Sequence, residues 1–73
     1  MDEQAPVLVT VEVLEFGGEG YWGVRDFRHL PRRGDIIELL DDDFVGKVEE
    51  VRYLDVEADG SGGDIALYVT RVT

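Results

Sequence analysis

The sequence predicts an all-β fold, a small barrel of five short strands, from three observations. Val7, Val9, Val11 and Val13 take alternate positions in residues 7–16, the period-two mark of a strand. Leu30-Pro31-Arg32-Arg33-Gly34-Asp35, running into Ile36-Ile37-Glu38-Leu39, writes a turn between two strand-like segments. Such segments then recur at intervals of roughly ten residues, the spacing of small barrels and sandwiches.

Each element follows from its residues. In residues 7–16 the four valines form one face, and Leu8, Thr10, Glu12, Leu14 and Phe16 the other. A ribbon so rich in β-branched residues would aggregate at a bare edge, so a neighbour is expected on both of its sides. Gly17-Gly18-Glu19-Gly20 breaks the strand, and residues 21–27 return as the second half of a hairpin. Their apolar residues do not alternate cleanly, which predicts a bulge around Gly23. A short helical turn over residues 26–30 is the competing reading there.

Pro31 holds Leu30 extended, and Gly34 is free to take a backbone conformation other residues avoid. A third strand spans residues 36–40, and Asp41-Asp42-Asp43 makes a turn. Residues 44–57 are ambiguous. Phe44, Val48, Val51 and Asp55 follow a helical rhythm, whereas Gly46, the valines and Tyr53 oppose a helix. Strand is favoured, with a bulge between Val48 and Val51. Residues 59–64 are a glycine-rich loop, and residues 65–72 close the chain as the fifth strand, with Ile65, Leu67 and Val69 on one side. The candidate core is Val7, Val9, Val11, Val13, Trp22, Val24, Leu30, Ile37, Leu39, Val48, Val51, Ile65, Leu67 and Val69. Closure into a barrel would remove the edges that such strands expose.

The 73 residues make one domain, 1–73, whose core is thin. Cores of this size rarely supply more than about 3–5 kcal/mol. There is no cysteine to add a disulfide or a thiolate metal site. Association into a homodimer would add buried area, so monomer and homodimer both stay open. The first six residues, polar and acidic, read as a flexible N-terminus. They lack the basic and apolar regions of a secretory signal, and no segment has the length to span a membrane, so a cytoplasmic location is expected.

Seventeen acidic side chains against seven basic ones give a net charge of −10. That field opposes wrapping a phosphate backbone over the whole surface. It fits a solvated, self-repelling surface, adaptation to high salt, or an acidic mimic of nucleic acid that would occupy a basic groove on a partner.

The run Leu30-Pro31-Arg32-Arg33-Gly34-Asp35-Ile36-Ile37, followed by Val48-Glu49-Glu50-Val51-Arg52-Tyr53, resembles small bacterial and phage proteins with an SH3-like barrel. The similarity covers roughly residues 28–72. It implies a five-stranded SH3-like fold and no particular activity.

Chemistry is poorly provided for. Ser61 sits in a glycine loop, and His29, the lone histidine, stands beside Arg28 and near Arg32, whose charge disfavours its protonated form. Asp41, Asp42 and Asp43 read as a solvated turn rather than a cation site. Asp55-Val56-Glu57-Ala58-Asp59-Gly60 begins like a calcium loop, but Ala66 stands where the bidentate glutamate belongs. No catalytic residue, metal ligand or cofactor is expected.

What stands out is charge segregation. Residues 25–33 hold Arg25, Arg28, Arg32 and Arg33 against Asp26, a local balance of +3 that leaves −13 for the rest. Tyr21, Trp22, Phe27 and His29 lie close by. Arginine among aromatics is the composition of a protein-interface hot spot, and of a platform that stacks single-stranded nucleic acid. The alternative is that the aromatics fill the core while the arginines pair with local acids. The expected function is a non-enzymatic protein-interaction module with a contact patch of Tyr21, Trp22, Arg25, Arg28, Arg32 and Arg33. Nucleic-acid binding through the same patch is the alternative, followed by acidic mimicry.

Overall fold

The computed structural model describes residues 8–56, 58–60 and 64–72. The flexible N-terminus expected over residues 1–6, the core position of Val7, and Glu57 and Ser61 all lie outside the described residues.

Five strands form one strongly curled half-barrel sheet, with no α-helix among the described residues, consistent with a small SH3-like barrel. They are β1 (Val9–Glu15), β2 (Tyr21–Phe27), β3 (Ile36–Leu39), β4 (Phe44–Tyr53) and β5 (Ile65–Arg71). The spatial order is β2-β1-β5-β4-β3. β1 and β2 form the hairpin, and β3, β4 and β5 are antiparallel neighbours. β1 meets β5 in parallel, a pairing the sequence did not suggest. β1 thus has the two neighbours its valines require. Among the described residues no helix is long and apolar enough to cross a membrane.

Both bulges fall where they were expected. The β1–β2 register slips between Val13 and Leu14, opposite Gly23 and Tyr21, leaving Trp22 as the extra residue; Gly23 has φ +86°. The β4–β5 register slips between Val48 and Glu50. Residues 26–30 form no helical turn. Asp26 and Phe27 complete β2, and Arg28 and His29 bend away from it.

The turn into β3 closes as its residues dictate. The Asp35 N–H donates to the Arg32 carbonyl at 3.0 Å, and the Asp35 carboxylate accepts from the Arg32 N–H at 2.8 Å. Gly34, at φ +94°, takes the position that only glycine fills without strain. Its N–H donates to the Val48 carbonyl at 2.8 Å, while the Val48 N–H donates to the Asp35 carbonyl at 2.9 Å. Gly34 and Asp35 together therefore oppose Val48 in a glycine bulge. After β3, Leu40–Asp42 make a single 3₁₀ turn ended by Asp43 at φ 49°.

The core is Val11 and Val13 of β1, Ile37 and Leu39 of β3, Phe44 and Val48 of β4, and Leu67 and Val69 of β5, with Val9, Trp22, Phe27, Leu30, Val51 and Ile65 packed around it. Two corrections apply to the sequence reading. Val24 is 60% exposed, because the extra residue at Trp22 reverses the alternation beyond it. Phe44, 1% exposed, belongs at the centre of the core, and Ala66 is buried too. The expected closure is also incomplete: β2 and β3 form no ladder with each other and remain the two edges of the sheet.

Candidate functional site

The six residues of the expected patch are dispersed over the surface by the topology. Tyr21 opens β2 on the outer face, half exposed, and its hydroxyl donates to Glu12 on β1 at 3.2 Å. Partial desolvation, and then the neighbouring Glu12 carboxylate, hold its phenol above the ordinary value. Trp22 points inward. Its ring lies 4.4 Å from that of Phe44, centroid to centroid, tilted by 34°. The indole thus serves as a half-buried lid on the core, with Phe44 against it.

Arg25 is committed as well. Its Nε donates to the Trp22 carbonyl at 3.0 Å, its Nη2 pairs with the Asp42 carboxylate, and its Nη1 lies 3.8 Å from Asp41. The side chain reaches from the edge strand β2 to the 3₁₀ turn that follows the opposite edge, β3. It ties the two ends of the sheet together where no backbone ladder does.

Arg28, Arg32 and Arg33 are exposed, and among the described residues none forms an ion pair with a carboxylate. Arg28 and Arg32 come together, with His29 and Asp35, around a shallow groove of about 670 Å³ that also touches Val9 and Leu30. A second shallow groove, of about 610 Å³, lies on the other side of the same loop, against Phe27, Ile36, Ile37 and Glu38. Arg33 points elsewhere, to a depression it shares with Phe16, Glu49, Glu50 and Val51.

The basic site is therefore a loop, residues 28–32, straddled by two grooves. Pro31 is buried and Leu30 half-buried, so the loop is anchored from below while its cationic groups remain outside. The groove walls mix apolar side chains (Phe27, Leu30, Ile36) with guanidinium and imidazole groups and with the acids Asp35 and Glu38, which suits a ligand carrying apolar side chains beside charged groups. The sequence reading named the arginines but not the apolar walls, because only the curl of the sheet brings β3 beside the end of β2.

Among the described residues no three His, Asp or Glu side chains converge as metal ligands would, Asp41, Asp42 and Asp43 included. Comparison of the chain with protein-family models, with curated proteins and with solved structures returns no match.

Proposed function

We propose that the protein is a non-enzymatic module that binds another protein through the basic loop at residues 28–32 and the grooves beside it. One observation carries this reading. Arg28 and Arg32 are exposed and free of ion pairs among the described residues, whereas Arg25, equally close in sequence, is held by two aspartates. The exposed guanidinium groups of Arg28 and Arg32 stand beside Phe27, Leu30 and Ile36, in a segment (residues 25–33) whose balance is +3 within a chain of −10. An acidic partner is drawn to that loop and repelled by the remaining surface, so the field selects the docking orientation.

Affinity capture from cell extract with the wild-type chain and with the Arg28→Glu/Arg32→Glu double variant tests it, folding being checked by circular dichroism. Capture that is lost in the variant is expected. Capture unchanged by the double substitution overturns the assignment of the loop. Should the captured species be nucleic acid, released with a steep dependence on salt, the second reading of the arginines replaces the first. Trp22, partly buried and packed on Phe44, weighs against that outcome, since a stacking platform presents its aromatic rings to the bases.

A further inference from the structure

The hydrogen-bond parity of the sheet shows what its two edges present. Phe16 N–H donates to the Val69 carbonyl on β5, while Glu15 N–H donates to the Gly20 carbonyl in the hairpin. Alternate residues of β1 therefore face opposite neighbours, and Val9, Val11 and Val13 face β2. Their partners Phe27, Arg25 and Gly23 face back, which turns the backbone N–H and C=O groups of Val24 and Asp26 to the open side. The same argument applies to β3. The glycine bulge at Val48 fixes the phase, so Ile37 and Leu39 bond to Gly46 and Phe44, and the backbone groups of Ile36 and Glu38 face outward. The pairings also make β2 and β3 run in opposite directions.

Between these edges the sheet is grooved rather than sealed. One depression joins Val24, Asp26 and Phe27 to Glu38, Leu39 and Leu40. It is continued by the groove from Phe27 to Ile36 beside the basic loop. β2 is partly guarded, since Arg25 covers the Trp22 carbonyl and reaches across to Asp42. Nothing comparable covers Ile36 or Glu38 among the described residues.

From this geometry we infer that β3 is a receptor edge for strand addition: an extended segment of a partner pairs antiparallel with Ile36–Leu39 and sets its C-terminal, carboxylate-bearing end against Arg28 and Arg32. The direction follows from the charges. β3 begins beside Arg28 and Arg32 and ends at Leu39, next to the acidic turn Leu40–Asp42, so an antiparallel strand ends at the arginines. Its alternate apolar side chains would cover Phe27 and Leu39, while its backbone satisfies Ile36 and Glu38. A second copy of this chain is a poorer occupant. Two β3 edges paired antiparallel would bring their Glu38 side chains close together, between bodies that each carry −10. This inference rests on the proposed function, since it specifies how the same loop and groove engage a protein.

The test uses the eight-residue peptide Lys-Val-Thr-Val-Thr-Val-Asp-Asp, and the same peptide N-methylated at alternate amides, titrated into the intact chain by nuclear magnetic resonance. Binding of the first peptide is expected, with slowed hydrogen exchange at the Ile36 and Glu38 amides and loss of binding on N-methylation. The Glu38→Pro variant, which removes an outward N–H while leaving the β4 ladder its donors, should lose the peptide as well. Equal binding of both peptides, with fast exchange retained at Ile36 and Glu38, overturns strand addition yet leaves the basic loop as a charge-reading site. Absence of binding by the first peptide at millimolar concentration also overturns it. So does protection of the Ile36 and Glu38 amides that rises with protein concentration alone, because a second copy then occupies the edge. Failure of the proposed function is read separately, from capture that survives the loss of Arg28 and Arg32.

Discussion

Gly34 and Gly46 are both irreplaceable, for unrelated reasons. At Gly34 a Cβ would meet open space, but φ +94° is backbone that L-residues rarely adopt. Gly34→Ala should cost about 1–2 kcal/mol, all of it local strain. At Gly46 the backbone is ordinary and the space is missing, since a Cβ would come to 2.6 Å from Phe44 Cε1 and 3.3 Å from the Thr70 carbonyl oxygen. Gly46→Ala has to displace the ring at the centre of the core, at a cost of about 1–3 kcal/mol. Urea titration of the two variants checks both values. The need for Gly34 is legible in the Pro-Arg-Arg-Gly-Asp run; that for Gly46 is not, because it depends on where Phe44 folds. Tyr21 makes a third, pH-dependent case. Its phenol is raised by desolvation and by Glu12, so folding favours the protonated form. The stabilisation it brings is present below the unfolded value of about 10 and is lost as pH rises through the higher folded value. Phenolate absorbance should show a late-titrating component that vanishes in Tyr21→Phe.

β4 explains why residues 44–57 read ambiguously. Phe44, Gly46 and Val48 alternate as a strand requires, and Val48 is opposite Val69. Glu49 is then inserted without a partner of its own, and its carboxylate accepts from the Thr70 hydroxyl at 2.7 Å. The inserted residue moves the next inward position from 50 to 51. A strand period plus one extra residue produces spacings of four and three, which imitate a helix. Deleting Glu49 should therefore send Val51 to the outer face and bring Glu50 inward, an exchange a thin core does not survive. Loss of the native spectrum by nuclear magnetic resonance is the expected outcome. The bulge at Trp22 did the same to β2, reversing the face of Val24. In both strands the presence of a bulge was legible, but its consequences for every later side chain depend on which single residue is extra.

The strand order and the separation of the arginines belong to the sheet as it curls. Charge segregation was legible in residues 25–33, yet the four arginines serve three different ends. Arg25 fastens β2 to the turn after β3, Arg28 and Arg32 flank the grooves, and Arg33 lies apart near Phe16. No local pattern contains that division, because it arises from the parallel meeting of β1 and β5 that swings β2 and β3 toward each other. Arg25→Met should lower stability by about 1 kcal/mol or less, as expected for a partly exposed pair, and should weaken the dependence of stability on salt. Phe44→Ala should be far more damaging. Removing a fully buried ring costs about 3–5 kcal/mol, comparable with all that so small a core provides. Thermal unfolding of the two variants, one shifted by a few degrees and one without a cooperative transition, distinguishes fastening from filling.

The parallel ladder between β1 and β5 also orders events during synthesis. Val11 lies beside Ile65 and Val13 beside Leu67, so the first strand made waits for the last. Until then the nascent hairpin of β1 and β2 has one flank bare, with its valines exposed to any neighbouring chain. A sheet built this way closes its centre only once β5 has emerged, and the unpaired flank of β1 is an aggregation hazard until it does.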